Sequence, residues 1–242
     1  MTILCMETSN KTLSVALGTK DKPLATYTSQ KGINHSLTLM PAIDFLVAEN
    51  NLTPQDLTGV VVAKGPGSYT GLRIGMTTAK TLSWTLNIPM YAVSTLALIA
   101  SNGDKTADLI IPLIDARRQS VFTGAYKWEE DQLVSVMSDK YISLEDWLEE
   151  LGEIEQTICF VSEDISNLLQ QLEPFINDKQ ATIIIKPVEA SHLLDFVSET
   201  TRVYDVEAIT PTYLKRVEAE EKWLEQQKGD SINTNDYVTR VE

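Results

Sequence analysis

The 242-residue chain is short of the residues that carry most hard chemistry, with two cysteines and two histidines. Cys5 and Cys159 lie far apart in apolar, strand-like runs, so both read as buried reduced thiols rather than a disulfide or a metal pair. His35 and His192 have no second ligand three or four residues away, and no H-x-x-x-H, H-E-x-x-H or C-x-x-C occurs. Local metal signatures are therefore excluded. Long apolar runs are also missing: LIIPLI, Leu109–Ile114, is strand-sized, against the roughly 18 residues of a membrane span. The opening MTILCMETSN carries no basic segment, so no signal peptide is expected, and a cytoplasmic location with no membrane contact is. Basic residues are scarce. Lys and Arg number 20 against 34 Asp and Glu, a net charge of -14, and adjacent basic pairs occur only at Arg117-Arg118 and Lys215-Arg216. A chain that clamps nucleic acid unaided needs a basic face, so strong direct RNA or DNA binding is not expected.

What is present is an ordinary globular composition, 43% hydrophobic and 22% charged. Periodicity predicts strands over 2–9, 13–18 and 24–29, then a helix from His35 or Ser36 to about Glu49 capped by Asn34. Leu39, Ile43 and Leu46 form its apolar stripe, and Pro41 predicts a kink or a later start. A strand over 59–63, a glycine turn, a helix over 70–86, a strand over 90–94 and a short helix over 95–100 follow. The order then restarts: strands over 109–115, 120–128 and 133–142, a helix capped by Ser143, a strand over 157–162, a helix over 165–172, a strand over 181–185 and a helix over 189–199. Both halves read βββαβαβα, an internal duplication. Each first strand ends in an acid before a polar hairpin, Glu7 and Asp115.

Two such units with a cleft between their first hairpins describe an α/β fold of the actin-like, sugar-kinase-like ATPase (ASKHA) type. The expected divisions are an N-terminal lobe over 1–104, a C-terminal lobe over 105–214, and a charged helix with a loose tail over 215–242. In a working cleft of this kind Glu7, Thr8, Ser9 and Asp115 would face a nucleotide; otherwise the two acids cap their own hairpins.

The glycine turn, AKGPGSYTGLRIG, fits no phosphate or nucleophile template. Leu72 stands where a P-loop has lysine, Thr70 where a dinucleotide fingerprint has its third glycine, and Pro66 and Thr70 where a nucleophile elbow has glycines around Ser68. What remains is a strand–turn–helix connection with Ser68 or Thr70 as cap. Gly71, Gly75 and Ala79 recur every four residues, a stripe that lets another element approach closely, whether inside the lobe or from a partner.

The segments ILCMETSNKTLSVAL, NHSLTLMPAIDFLV, AKGPGSYTGLRIGMTTAKTLSWTLNIPMYAVSTLALIA, IPLIDARRQSVFTGAY and PTYLKRVEAE together resemble the TsaB (YeaZ) family. The likeness covers nearly the whole first half and two islands in the second. The related TsaD family carries V-N-H-x-x-x-H after the corresponding strand, with histidines that hold a metal. The matching segment here is VSTLALI, with Thr95 and Ile99 at those positions. The resemblance thus implies a metal-free, noncatalytic subunit with no cofactor of its own. It implies pairing with TsaD through helices over 36–49 and 70–86, placing Leu39, Ile43, Gly71, Gly75 and Ala79 at the contact. TsaE, a small ATPase, would dock on the pair. TsaD transfers threonylcarbamoyl from its adenylate to the adenosine beside the anticodon of tRNAs reading codons that begin with A, so tRNA would meet this chain only indirectly. A homodimer of the isolated chain is compatible with this reading, but the sequence does not fix the oligomeric state. The alternatives are a metal-dependent or Ser68-dependent glycoprotease-like hydrolase and a small-molecule kinase or ATPase on the same fold.

Overall fold

A computed structural model describes residues 2–20, 22–30, 34–179 and 181–215. The first half runs β1 (Thr2–Glu7), β2 (Leu13–Thr19), β3 (Lys22–Ser29), α1 (His35–Glu49), a 3-10 turn at Pro54–Asp56, β4 (Leu57–Ala63), α2 (Tyr69–Leu86), β5 (Met90–Val93) and α3 (Thr95–Ala100). The second runs β6 (Leu109–Asp115), β7 (Ser120–Glu129), β8 (Gln132–Ser143), α4 (Leu144–Gly152), β9 (Ile158–Ser162), α5 (Leu169–Lys179), β10 (Thr182–Ile185), a 3-10 helix at Ala190–Phe196 and β11 (Arg202–Val203). The sheets are ordered β11-β5-β4-β1-β2-β3 and β10-β9-β6-β7-β8. In each, the first strand pairs antiparallel with its hairpin partner and parallel with the strand after the first helix. This is the duplicated actin-like, sugar-kinase-like architecture.

Local chemistry sets the boundaries. Asn34, Ser68 and Ser143 each accept a backbone N–H of the helix that follows. Pro41 neither delays nor ends α1, which runs through it from His35. Its ring is exposed, as is Leu37 one turn back, so the carbonyl that loses its partner faces water. β1 and β4 are apolar and buried on both faces, as strands covered by helices on either side must be. Leu39, Ala42, Ile43, Leu46 and Val47 of α1 close one core against Met76 and Ala79 of α2 and the first sheet. Trp147, Leu151 and Leu172 close another on the second sheet. A third unites the lobes: all six residues of α3 are buried, and five of them meet Ile110, Phe122 and Val161 from the second sheet.

The expected final α-helix is a correction. Residues 190–196 form a 3-10 helix, and it packs on β1, β2 and β3 of the first lobe. Ala190 N–H donates to Ser14 Oγ at 2.9 Å, and Leu193 and Leu194 are buried there. From that point the chain stays with the first lobe, because β11 pairs antiparallel with β5. The expected charged helix and tail after Lys215 lie outside the described residues. Among the described residues no helix is long and apolar enough to cross a membrane.

Candidate functional site

The two first hairpins and the glycine turn converge on a cleft of about 940 Å³ between the lobes. The turn after β1 brings Ser9, Asn10 and Lys11, the β4–α2 turn brings Pro66 to Thr70, and the turn after β6 brings Asp115 to Arg118. Ser162 at the end of β9, with Glu163, Asp164 and Asn167 beyond it, adds a polar wall from the second lobe.

Glu7 does not reach this space. It is fully buried beneath the hairpin, where its Oε1 accepts from both the backbone N–H and the hydroxyl of Ser9. Its Oε2 has no partner among the described residues. Burial pushes its pKa up to about 7, against the Ser9 bonds and with help from the Glu163 carboxylate. Thr8 is buried too, its hydroxyl donating to Gly71 O at 2.8 Å. Of the four residues expected to face a nucleotide, only Ser9 and Asp115 line the cleft. Asp115 is engaged by its own surroundings, with Oδ1 accepting from Arg117 N at 2.7 Å and Oδ2 from Asn167 Nδ2 at 2.8 Å.

The glycine turn is clamped onto the first hairpin. Ser68 N–H donates to Ser9 O at 2.7 Å, and a Cβ on Gly67 would stand 2.4 Å from that same oxygen. A Cβ on Gly71 would fall 2.0 Å from Thr8 O, and one on Gly75 2.4 Å from Thr8 Oγ1. The N–H groups of Gly65, Ser68, Gly71 and Leu72 are all taken by protein acceptors. A phosphate cradle needs such donors free and convergent; here they are spent on packing.

Thr95 is likewise engaged, accepting from Gly65 N–H at 3.2 Å and donating to Ser9 Oγ at 3.0 Å. Ile99, one turn on, is 1% exposed and has no ligating atom. The pair does not fit a divalent metal. Among the described residues no group of three His, Cys, Asp or Glu could hold one. Ser68 Oγ caps α2 by accepting from Gly71 N–H. The imidazoles are engaged elsewhere, His35 with Asn10 O and His192 with Ser101 Oγ.

The residues expected at a partner contact require a correction. Leu39, Ile43 and Ala79 are core, and Gly71 and Gly75 face Thr8, so none of the five offers a surface. The opposite faces of the same helices do. Leu37 is 72% exposed, Met40 50%, Phe45 53% and, on α2, Trp84 65%. Apolar groups of this size on adjoining helices make an unusual exposed face.

Several features of the cleft rim carry no local sequence signal. Residues Arg117, Arg118 and Gln119 all have left-handed backbone, with φ of 67°, 54° and 60°, a conformation costing about 1–2 kcal/mol each. The hairpin holds them there through Ala116 N–H to Ser120 O and Leu144 N–H to Gln119 O. Lys11 Nζ crosses to Asp164 at 2.5 Å, and that bond chiefly holds the Asp164 carboxyl well below the usual range. The segment after β11 straps the mouth. Lys80 Nζ donates to Glu207 O and Ile209 O, and Thr212 N–H donates to Lys64 O at 2.7 Å. Tyr213 stacks on Tyr69 with centroids 5.0 Å apart, and Lys215 Nζ reaches Ala116 O in the other lobe at 3.2 Å.

Comparison with known proteins agrees with this geometry. Residues 26–223 match the family described as TsaD: tRNA N6-adenosine threonylcarbamoyltransferase. The tRNA threonylcarbamoyladenosine biosynthesis protein TsaB of Bacillus subtilis is 43% identical over 94% of this chain and 100% of its own. Among solved structures, YeaZ from Pseudomonas aeruginosa superposes with a TM-score of 0.71 at 20% identity, covering 88% of this chain and 99% of that one. A second Pseudomonas aeruginosa structure, described as an uncharacterized protein with similarity to peptidase YEAZ, gives 0.72 at 21% identity with the same coverage of both.

Proposed function

Because this chain belongs to the TsaD-type family and, within it, to the TsaB proteins of tRNA threonylcarbamoyladenosine biosynthesis, we propose that it is the noncatalytic subunit of a tRNA threonylcarbamoyltransferase. Its task is to bind a TsaD partner and support the transfer that the partner performs, with TsaE docking on the pair. The observation that carries this reading is the set of large exposed apolar side chains on the two helices, Leu37, Met40 and Phe45 on α1 and Trp84 on α2. Large exposed apolar side chains flanking a tightly packed helix pair suit a protein interface, and Trp is enriched among residues that dominate binding energy. Thr95 and Ile99 support the noncatalytic half of the reading, because neither side chain can take an imidazole's place and Thr95 is already bonded. The partner-binding lobe is the first, residues 1–104 together with the segment from Ala190 that packs on it, and the second lobe supports it.

The test is reconstitution. The chain mixed with the TsaD and TsaE of the same organism is expected to elute as one species by size exclusion and to be required for threonylcarbamoyl transfer to tRNA. No co-elution, or full transfer without the chain, removes this reading.

A further inference from the structure

The basic residues of this acidic chain are not spread evenly. Arg117 and Arg118 occupy the left-handed tip of the second hairpin, both exposed at the cleft, and Lys215 lies beside them on Ala116 O. Across the mouth, Arg73 stands 4.3 Å over the Tyr69 ring and donates to Tyr213 Oη. With Lys11, itself paired to Asp164, five basic side chains lie around the opening in a chain of net charge -14. The carboxylates that share this wall are committed: Asp115 to Arg117 N–H and Asn167, Asp164 to Lys11 and Ser166, and Glu163 to Val188 N–H.

Aromatic faces are interleaved with these cations. Tyr69 and Tyr213 are each 40% exposed with rings tilted by 34°, and Tyr141, 37% exposed, lies under Lys215 Nζ at 4.9 Å. Half-open rings alternating with Arg and Lys form the chemistry that takes a flexible polyanion with flat bases, with cations on phosphates and rings on base faces. Duplex contacts need cations alone, whereas part-exposed tyrosine rings beside the cations add affinity for unstacked bases.

We propose that the rim of the interlobe cleft, centred on Arg117, Arg118, Tyr69 and Tyr213, is a contact surface for an unpaired segment of RNA. This rests on the proposed function, which supplies a tRNA, and adds to it a direct contact by this chain. Tyr69 and Arg73 begin the same helix whose other end carries Trp84, which sets the rim about 22 Å along α2 from the proposed partner face.

The experiment uses the reconstituted complex with tRNA transcript, read by filter binding across a salt series. Arg117→Asn with Arg118→Asn removes both charges while keeping the hairpin tip, because Asn tolerates left-handed backbone better than other non-glycine residues. The expected result is about tenfold weaker binding at low salt and a log K against log salt slope shallower by about one to two. Tyr213→Leu is expected to weaken binding severalfold with the slope unchanged, and 4-thiouridine in the tRNA to crosslink to the wild-type rim. Unchanged affinity and slope in an intact complex overturn the inference, as does tRNA binding at the rim that AMP competes for equally, which would make it a mononucleotide site. Size exclusion on the same samples reads assembly separately, so a wild-type chain that fails to join the complex removes the parent reading as well.

Discussion

The hydroxyl of Thr95 donates to the hydroxyl of Ser9 across 3.0 Å, tying the start of α3 to the first hairpin. Through it a single chain of hydrogen bonds runs from Gly65 N–H to Thr95, to Ser9 and on to Glu7, all of it buried. The polar centre of this lobe is a structural bolt.

Rebuilding an imidazole pair there therefore costs stability without giving a site. Thr95→His adds bulk and Ile99→His buries a polar imidazole, at two positions with at most 1% exposure, for a loss of about 1–3 kcal/mol or more from overpacking, polar burial and the broken bond chain. Urea denaturation checks the loss, and calorimetry with Zn²⁺ is expected to show no micromolar binding. Tight binding would reveal an adaptable pocket where the packing shows a filled one.

Gly71→Ala is expected to be the most damaging single-methyl change in α2. The added carbon meets the Thr8 carbonyl at 2.0 Å, and that oxygen belongs to backbone between β1 and the hairpin. The helix or the hairpin must shift, at a cost of about 3 kcal/mol or more. At an ordinary exposed helix position the same change stabilises by about 0.5–1 kcal/mol, so a thermal shift upward would contradict the packing.

Glu7 sets a pH dependence. Its folded pKa of about 7 lies above the ordinary 4.5, so between those values the folded chain holds a proton that the unfolded chain has lost. Stability contributed by this group is fully present below pH 4.5, falls as pH rises towards 7, and is level above, by an amount on the order of 3 kcal/mol. Glu7→Gln keeps an acceptor for Ser9 and removes the titration, so its urea midpoint should lose this downward trend. A profile as steep as that of the native chain would assign the trend to another group.

Trp84→Ala tests the exposed helix face. Trp84 is 65% exposed, so its loss should leave the thermal midpoint within a degree or two while weakening TsaD binding about thirtyfold, as removal of a central anchor does. Met40→Asp on α1 should act in the same direction. If both variants bind TsaD like the wild type, the interface lies elsewhere.

The sequence carried the order of elements because its signals are local. Asn34, Ser68 and Ser143 are caps that act within three residues, and the period of each apolar stripe survives any tertiary context. It could not say which stripe faces outward. Helix α1 bears Leu39, Ile43, Leu46 and Val47 on one side and Leu37, Met40 and Phe45 on another, and a side chain destined for a core has the same chemistry as one destined for a partner. The glycine and alanine stripe was readable as a close approach, while the object approached, Thr8, is 63 residues away from Gly71 in the chain. Glu7 and Asp115 look equivalent as strand-ending acids, yet one is buried beneath its hairpin and the other borders the cleft. The strap over 205–215 has no period at all, since its conformation is set by Lys80, Tyr69 and Lys64 on the surface beneath it.

The pairing of β11 with β5 has a consequence for biosynthesis. Met90–Val93 is the outermost strand of an otherwise five-stranded arrangement until Arg202 and Val203 have been translated. Throughout synthesis of the second lobe, the nascent first lobe therefore presents an apolar edge with open hydrogen-bonding groups, the kind of template on which strangers pair. Ribosome-bound intermediates of this chain should accordingly be the species that chaperones recognise, and the arrival of Arg202 and Val203 is what releases them.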